Sequence, residues 1–313
     1  MRTIVVGTRE SKLARTQTKQ VIELLRDLSI MLGTPCHFET RFIRTKGDQI
    51  LNVTLSKVGG KGLFVKEIEQ ALLDGEIDLA VHSMKDLPFE LPEGLTIGAI
   101  PKREDVRDVL ISRNHLSLDQ LPAGAVVGTS SLRREAQLRH LRPDLVVSPL
   151  RGNIDTRLRK LEEGEVDAIL LAAAGLVRMG WSERITHYLE PDHMIPAVGQ
   201  GALAVECREG DTFIRHLLSH LQHEETAHAV RAERAFLGAL EGSCQVPIGA
   251  WATRVKIGEE MQWLLTGMIG SPDGSRIIRM QQAGKDPDSV GIELAQAMLD
   301  HGADEILTWV RQS

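Results

Sequence analysis

Apolar and polar residues along this chain fall into segments whose period changes at identifiable boundaries. Thr3-Ile4-Val5-Val6-Gly7 is a short β-branched run and predicts a first strand. It leads into Gly7-Thr8-Arg9-Glu10-Ser11-Lys12-Leu13, with a serine placed to cap a helix. The same phrase returns as Val127-Gly128-Thr129-Ser130-Ser131-Leu132-Arg133. A second echo pairs Leu73-Asp74-Gly75-Glu76-Ile77-Asp78-Leu79-Ala80-Val81 with Glu163-Gly164-Glu165-Val166-Asp167-Ala168-Ile169-Leu170. In each, an amphipathic helix stops at a glycine and a buried strand follows. The echoes predict two α/β lobes of similar design, each aiming a helix N-terminus and its N–H groups at a cleft that attracts anions.

The spacing between echoes is shorter in the second lobe. The surplus in the first falls at 45–64, which carries Gly47, Gly59, Gly60 and Gly62 with Lys46, Lys57 and Lys61, and reads as a mobile lid. The chain is expected to cross between lobes near Pro101–Asp105 and near Ile195–Gly199, with Gly201–Cys207 returning as a strand to the first lobe. A third segment opens with a helix from Glu224 to Leu240, whose Ala227, Val230, Ala235 and Leu237 follow helical spacing. Strand-like runs follow at Ile248–Val255, Met261–Ile269 and Arg276–Gln282, with Ser271-Pro272-Asp273-Gly274-Ser275 as a hairpin turn. A helix at Val290–Leu299 closes an α+β domain. The expected organisation is therefore 1–101 with 202–219 for the first lobe, 107–195 for the second, and 224–313 for the third domain.

At 313 residues, 42% apolar and 26% charged, the chain has the length and balance of an ordinary multi-domain soluble protein. Its longest apolar run, Ala168–Val177, is too short to span a bilayer, so no membrane role is expected. The start of the chain lacks the apolar core of a signal peptide. Cys36, Cys207 and Cys244 do not suggest a disulfide scaffold, which points to a reducing, cytoplasmic compartment. A net charge of -6 argues against binding nucleic acid over the whole surface.

The distribution of charge is more telling. Arginine outnumbers lysine by 26 to 11, and seven arginines with no lysine lie between Gly128 and Arg159. The planar guanidinium suits bidentate recognition of carboxylate or phosphate. A solvated helix face accounts for Arg139, Arg142 and Arg159. It accounts less well for Arg133, Arg134 and Arg151, which follow predicted strands, where α/β proteins bind ligands.

Other motifs fall away. Gly60-Lys61-Gly62 lacks the Ser or Thr and the first glycine of a phosphate loop. Gly199-Gln200-Gly201-Ala202-Leu203-Ala204 precedes a strand where a dinucleotide fingerprint needs a helix. His223 and His228 are one residue too far apart for a helical zinc pair, and no metal is expected. Cys244 stands on a tight loop between Gly242 and Pro247. Alone it reads either as a small buried hydrophobe or as a presented thiol. Asp86 directly follows the strand ending at Val81, with Pro88 blocking a helix. It reads either as a surface partner of Lys85 or as a carboxylate facing a ligand.

Six blocks together bring in a resemblance. Lys57–Phe64, Val81–Pro88, Val127–Arg134, Leu150–Asn153, Pro196–Gly201 and Leu240–Gly249 stand in the order and wording of the porphobilinogen deaminases, the hydroxymethylbilane synthases. Many members have glycine where this chain has Ser243. The resemblance implies two lobes like those of periplasmic solute-binding proteins around a cleft, plus a small α+β domain that carries a dipyrromethane cofactor on Cys244 through a thioether. It implies Asp86 as catalytic carboxylate. Lys85, Thr129, Ser131, Arg133, Arg134, Gly152 and Arg157 match cofactor-binding positions. Arg9, Ser11, Phe64, Arg151, Arg178 and Gln200 match substrate-binding positions. His82 reads as structural.

The reaction so implied joins four porphobilinogens head to tail on the dipyrromethane primer and releases hydroxymethylbilane, in tetrapyrrole and haem biosynthesis. Porphobilinogen bears acetate and propionate arms. Loss of ammonia leaves an azafulvene that the growing chain attacks, and positive charge develops on pyrrole nitrogen, where a fixed carboxylate would stabilise it. The expected protein is a monomer whose partner is porphobilinogen. The contrasting class is a non-catalytic two-lobed cytoplasmic protein that closes on a small dicarboxylate or phosphate ester.

Overall fold

The structure is a computed structural model that describes residues 2–49, 62, 64–240 and 246–312. The chain divides into two compact units, Met1–Glu104 with Ala202–Ala227 and Asp105–Gly201 with His228–Ser313.

The first unit is built on β1 (Arg2–Thr8), β2 (Cys36–Phe42), β3 (Leu79–Ser83), β4 (Leu95–Ala99) and a strand supplied from far along the chain, β10 (Leu203–Arg208). Their order is β2-β1-β3-β10-β4. β1 runs parallel to β2 and β3, whereas β10 is antiparallel to β3 and β4. The expected return of Gly201–Cys207 to this unit is thus realised as β10. Helix Lys12–Met31 starts at Ser11, whose hydroxyl accepts from the Ala14 N–H at 3.3 Å. It buries Ala14, Thr18, Val21, Ile22 and Leu25, the three-and-four spacing of one helical face.

The second unit repeats the plan with β5 (Asp108–Ser112), β6 (Val126–Gly128), β7 (Val146–Ser148), β8 (Ala168–Ala172) and β9 (His187–Leu189), in the order β7-β6-β8-β5-β9. Again three parallel strands adjoin one antiparallel strand. The sequence echoes thus mark a repeated topology. Strands in both sheets are covered on both faces. In β8, Ala168 and Leu170 feed one core while Ile169 and Leu171 feed the other. That two-sided burial is why these strands read as continuous apolar runs rather than alternating ones.

The same unit holds an antiparallel meander of β11 (Ile248–Ile257), β12 (Glu260–Gly270) and β13 (Ile277–Gly284), each slightly longer than its apolar run suggested. The expected hairpin turn forms: the Ser271 N–H donates to Arg276 O, and Asp273 Oδ1 accepts from the Ser275 N–H. Phe236 of helix Glu224–Ala239 packs with Leu265, Ile269, Leu294 and Met298 in its core. The last helix was expected at Val290–Leu299. It spans Pro287–Met298, capped by Asp286, and after a turn at Gly302 (φ 88°) a further helix, Asp304–Gln312, follows. Among the described residues no helix is long and apolar enough to cross a membrane.

Candidate functional site

In the first unit, adjacent parallel strands β1 and β3 deliver their carboxyl ends to one edge. After β1 come Arg9 and Ser11, both half-buried, and Arg9 stacks its guanidinium 4.4 Å from the centre of the Phe64 ring. After β3 the chain makes a single 3₁₀ turn, Met84–Asp86, closed by the Leu87 N–H donating to Met84 O. The Met84 N–H is held by Ala202 O at 3.0 Å, and Ser83 Oγ accepts from Gln17 Nε2 at 3.1 Å. This short, doubly anchored turn fixes Lys85 and Asp86, both half-buried, immediately beyond the strand end. The lid expected at 45–64 lies largely outside the described residues, and so does Cys244.

Behind the turn is a buried acid cluster that the apolar pattern concealed. His82 Nε2 lies 3.0 Å from Glu206 Oε2, with both side chains buried, in keeping with the structural role expected of His82. Glu69, 6% exposed on helix Lys66–Leu73, is electrostatically coupled to both. Burial, then the charge of Glu206, push the Glu69 carboxyl up to about 7, against weaker opposing pulls from His82 and Lys66. Glu69 Oε1 and Glu206 Oε1 have no hydrogen-bond partner among the described residues.

In the second unit, β6, β7 and β8 likewise deliver their carboxyl ends to one edge. After β6, the Thr129 N–H donates to Ser148 O at 2.9 Å and Thr129 Oγ1 accepts from the Ser131 N–H at 3.2 Å. Ser131 stands at the N-cap of helix Leu132–Leu141 but its side chain makes no capping bond, unlike Ser11. The first turn of that helix carries Arg133 and Arg134, only 4% and 6% exposed. Both converge on Asp108, which is fully buried. Arg133 Nη1 donates to Asp108 Oδ2 at 2.6 Å, and Arg134 Nε and Nη2 donate to Oδ1 at 3.0 and 2.7 Å. Gln200 Nε2 also donates to Oδ1, at 3.0 Å. Burial alone would raise the Asp108 carboxyl, but the two guanidiniums hold it well below the usual carboxylate range.

After β7 come Arg151 and Gly152. Gly152 adopts φ 112°, and a Cβ there would meet the Thr156 side chain at 2.6 Å, so this turn accepts only glycine. Arg157, one helical turn later, donates from Nε to Gly152 O at 2.8 Å. Burial, then Arg134 and Arg151, lower the Arg157 pKa to about 10. No carboxylate among the described residues pairs with Arg151 or Arg157. Among the described residues this edge thus carries Arg133 and Arg134 on Asp108, with Arg157 near Arg134 and Arg151 and no carboxylate paired to either of the last two, a surplus of positive charge suited to an anionic ligand. Arg178, ending the helix after β8, donates from Nη2 to Gly201 O at 2.7 Å.

The other arginines divide. Arg139 pairs with Glu135 and Arg159 with Glu163 across single helical turns, the surface roles expected of them. Arg142 differs from the solvated-face expectation: it caps its helix, donating to Leu118 O, Leu121 O and Asp144. Loop carbonyls from distant sequence set its role. The residues that sequence reasoning missed are acids inside strands or helices: Asp108, Glu206, Glu69 and Glu233, which accepts from the Gly199 and Ala252 N–H groups. For Glu206 the signal was a lone charge within an apolar run, Leu203-Ala204-Val205-Glu206-Cys207, because a buried charge demands a partner, whereas Asp108, Glu69 and Glu233 have charged neighbours in sequence and gave no such signal.

With this geometry established, comparison with known proteins is specific. Residues 4–216 match the family model "Porphobilinogen deaminase, dipyromethane cofactor binding domain", and residues 227–300 match "Porphobilinogen deaminase, C-terminal domain". The chain is 57% identical to porphobilinogen deaminase of Bacillus pumilus over 313 residues, covering 100% of this chain and 98% of that protein. It is 55% identical to the Bacillus subtilis protein of the same name, again covering 100% of this chain and 98% of that one. Among solved structures, a TRAP periplasmic solute binding protein from Desulfovibrio salexigens aligns at TM-score 0.45 and 12% identity, over 72% of this chain and 73% of that one. Both family domains are matched in order, and the relatives align from end to end: the chain belongs to the porphobilinogen deaminase family.

Proposed function

We propose that this protein condenses four porphobilinogen molecules head to tail and releases hydroxymethylbilane, using a dipyrromethane attached to Cys244 through a thioether. The observation that carries the reading is the arginine-rich edge of the second unit, where Asp108 is the only carboxylate bonded to Arg133 and Arg134 and none pairs with Arg151 or Arg157 among the described residues. A dipyrromethane bearing carboxylate arms fits that donor set. When bound, it supplies a pyrrole with a free α-carbon as the nucleophile on which the chain grows.

The protein's own residues then have distinct tasks. Arg133, Arg134, Arg157, Thr129, Ser131 and Lys85 bind and orient the primer's carboxylates, and the Gly152 turn lets the backbone approach closely. Arg9, Ser11, Arg151 and Arg178 receive the arms of incoming porphobilinogen, and Gln200 and Phe64 complete its binding site by bracing it. Asp86 holds a fixed negative charge against the positive charge that develops on pyrrole nitrogen, and assists proton transfer to the leaving amine. The reading extends to a cytoplasmic monomer, in keeping with buried, unpaired Cys36 and Cys207.

Intact mass under denaturing conditions tests the proposal. The expected result is an excess of one dipyrromethane located on the Cys244 peptide, and a coloured product with acidic Ehrlich reagent. Cys244→Ser should fold but lack both the adduct and turnover, a hydroxyl being a far poorer nucleophile than a thiol. Fully active protein with an unmodified Cys244 would overturn it.

A further inference from the structure

The carboxylate at the centre of the arginine edge has no role in the reaction as so far described. Asp108 is the first residue of β5, paired to Ala172 of β8 on one side and to Leu189 of β9 on the other, so its backbone is held from both flanks. Its side chain is fully buried. A carboxylate offers about four acceptor positions. Asp108 accepts from Arg134 Nε, Arg134 Nη2 and Gln200 Nε2 at Oδ1, at 3.0, 2.7 and 3.0 Å, and from Arg133 Nη1 at Oδ2, at 2.6 Å. Fully buried and turned onto these donors, it is not offered to a ligand.

Each partner is also tied at a second point. Arg133 Nη1 donates to Ile195 O at 2.6 Å, Arg134 Nη1 to Leu170 O at 3.1 Å, and Gln200 Nε2 to Val106 O at 2.8 Å. Two anchors per side chain fix the plane of each guanidinium. Arg133 keeps its Nε–H and Nη2 groups without an acceptor among the described residues. Gln137 extends the frame, exchanging hydrogen bonds with the Ile195 backbone at 2.7 and 3.1 Å. A simple structural ion pair needs one arginine; here one acid sets two arginines and a glutamine together.

We infer that Asp108 is a positioning residue, which presents Arg133 and Arg134 to the carboxylate arms of the ligand without touching it, while Gln200, both of whose amide hydrogens are spent on Val106 O and Asp108, braces it from the side. The inference rests on the proposed function. Wild-type protein lacking the dipyrromethane mass and consuming no porphobilinogen would sink the function, whereas substitutions at Asp108 bear on its positioning role alone.

Asp108→Asn keeps the shape but sets an N–H₂ group against arginine N–H donors. Its melting, its dipyrromethane content by intact mass, and kcat and KM of the loaded fraction are measured together. The expected result is a cooperative melt with reduced cofactor occupancy, and a loss of about tenfold or more in kcat/KM carried mainly by KM, as for lost binding alignment. Adding Asp108→Asn to Arg134→Lys should cost much less than the two separate losses combined, because both break one contact. A lower melting temperature with wild-type occupancy and wild-type kcat/KM would reduce Asp108 to a structural ion pair and overturn the inference. Should Asp108→Asn fail to fold, Asp108→Glu decides: it keeps the charge but shifts it by a methylene. Folded Asp108→Glu with reduced occupancy and raised KM supports positioning; wild-type values refute it.

Discussion

The buried pair Glu69 and Glu206 makes stability depend on pH in a direction unusual for carboxylates. Glu69 titrates at about 7 in the folded protein against an ordinary value of 4.5, because it is buried and faces Glu206. The folded state therefore holds a proton that the unfolded chain releases. The stability gained from holding it is fully present below pH 4.5 and is lost as pH rises to about 7; above that, folding carries the cost of a charged Glu69. A shift of this size corresponds to roughly 3 kcal/mol at most, and roughly 2–3 kcal/mol once water reaching the carboxyl is allowed for. Glu69→Gln mimics the protonated form at every pH. It should match wild type near pH 4 and be more stable near pH 8.5, by about 3–5 °C in Tm for a protein of this size. Differential scanning fluorimetry between pH 4 and 9 would show two curves that coincide at the acid end, diverge between about pH 4.5 and 7, and stay apart above that. Parallel curves, or a variant less stable at pH 8.5, would refute the raised titration of Glu69.

Two further expectations concern the site. Arg151→Leu and Arg157→Leu should each lower cofactor occupancy or kcat/KM for porphobilinogen by roughly 10–100-fold, the loss of one charge-assisted contact of about 1.5–3 kcal/mol; Arg159→Leu, which is exposed and paired with Glu163, should be nearly silent, and equal behaviour of all three would contradict the division. Asp86→Asn should slow single turnover of preformed holoenzyme by about 10²-fold while leaving the melt and the pyrrolic adduct intact, and Asp86→Glu should retain more activity; Asn turning over as fast as wild type would leave Asp86 a mere partner of Lys85.

The sequence by itself determined the local elements and their repetition. Gly-Thr turns after short apolar runs placed β1 and β6, glycine stops preceded β3 and β8, and the Ser271–Ser275 turn fixed the β12–β13 hairpin. These features depend on residues near one another, where backbone geometry and side-chain period act directly. It also placed Arg151 and Asp86 beyond strand ends, because strand direction follows from chain direction. Pairings across the sheets were a different matter. Asp108 meets Arg133 and Arg134 across 25 and 26 positions and Gln200 across 92, and His82 meets Glu206 across 124. Nothing in the period of a strand says which buried charge answers which, because the partner is chosen by sheet order, and β5 and β10 enter their sheets antiparallel from elsewhere in the chain. The same holds for Arg142, which looked like a solvated helix residue until loop carbonyls from Leu118 and Leu121 came within reach. Local chemistry wrote the elements, whereas the neutralisation of buried charge, which sets which arginines stand ready for a ligand, was decided only by tertiary packing.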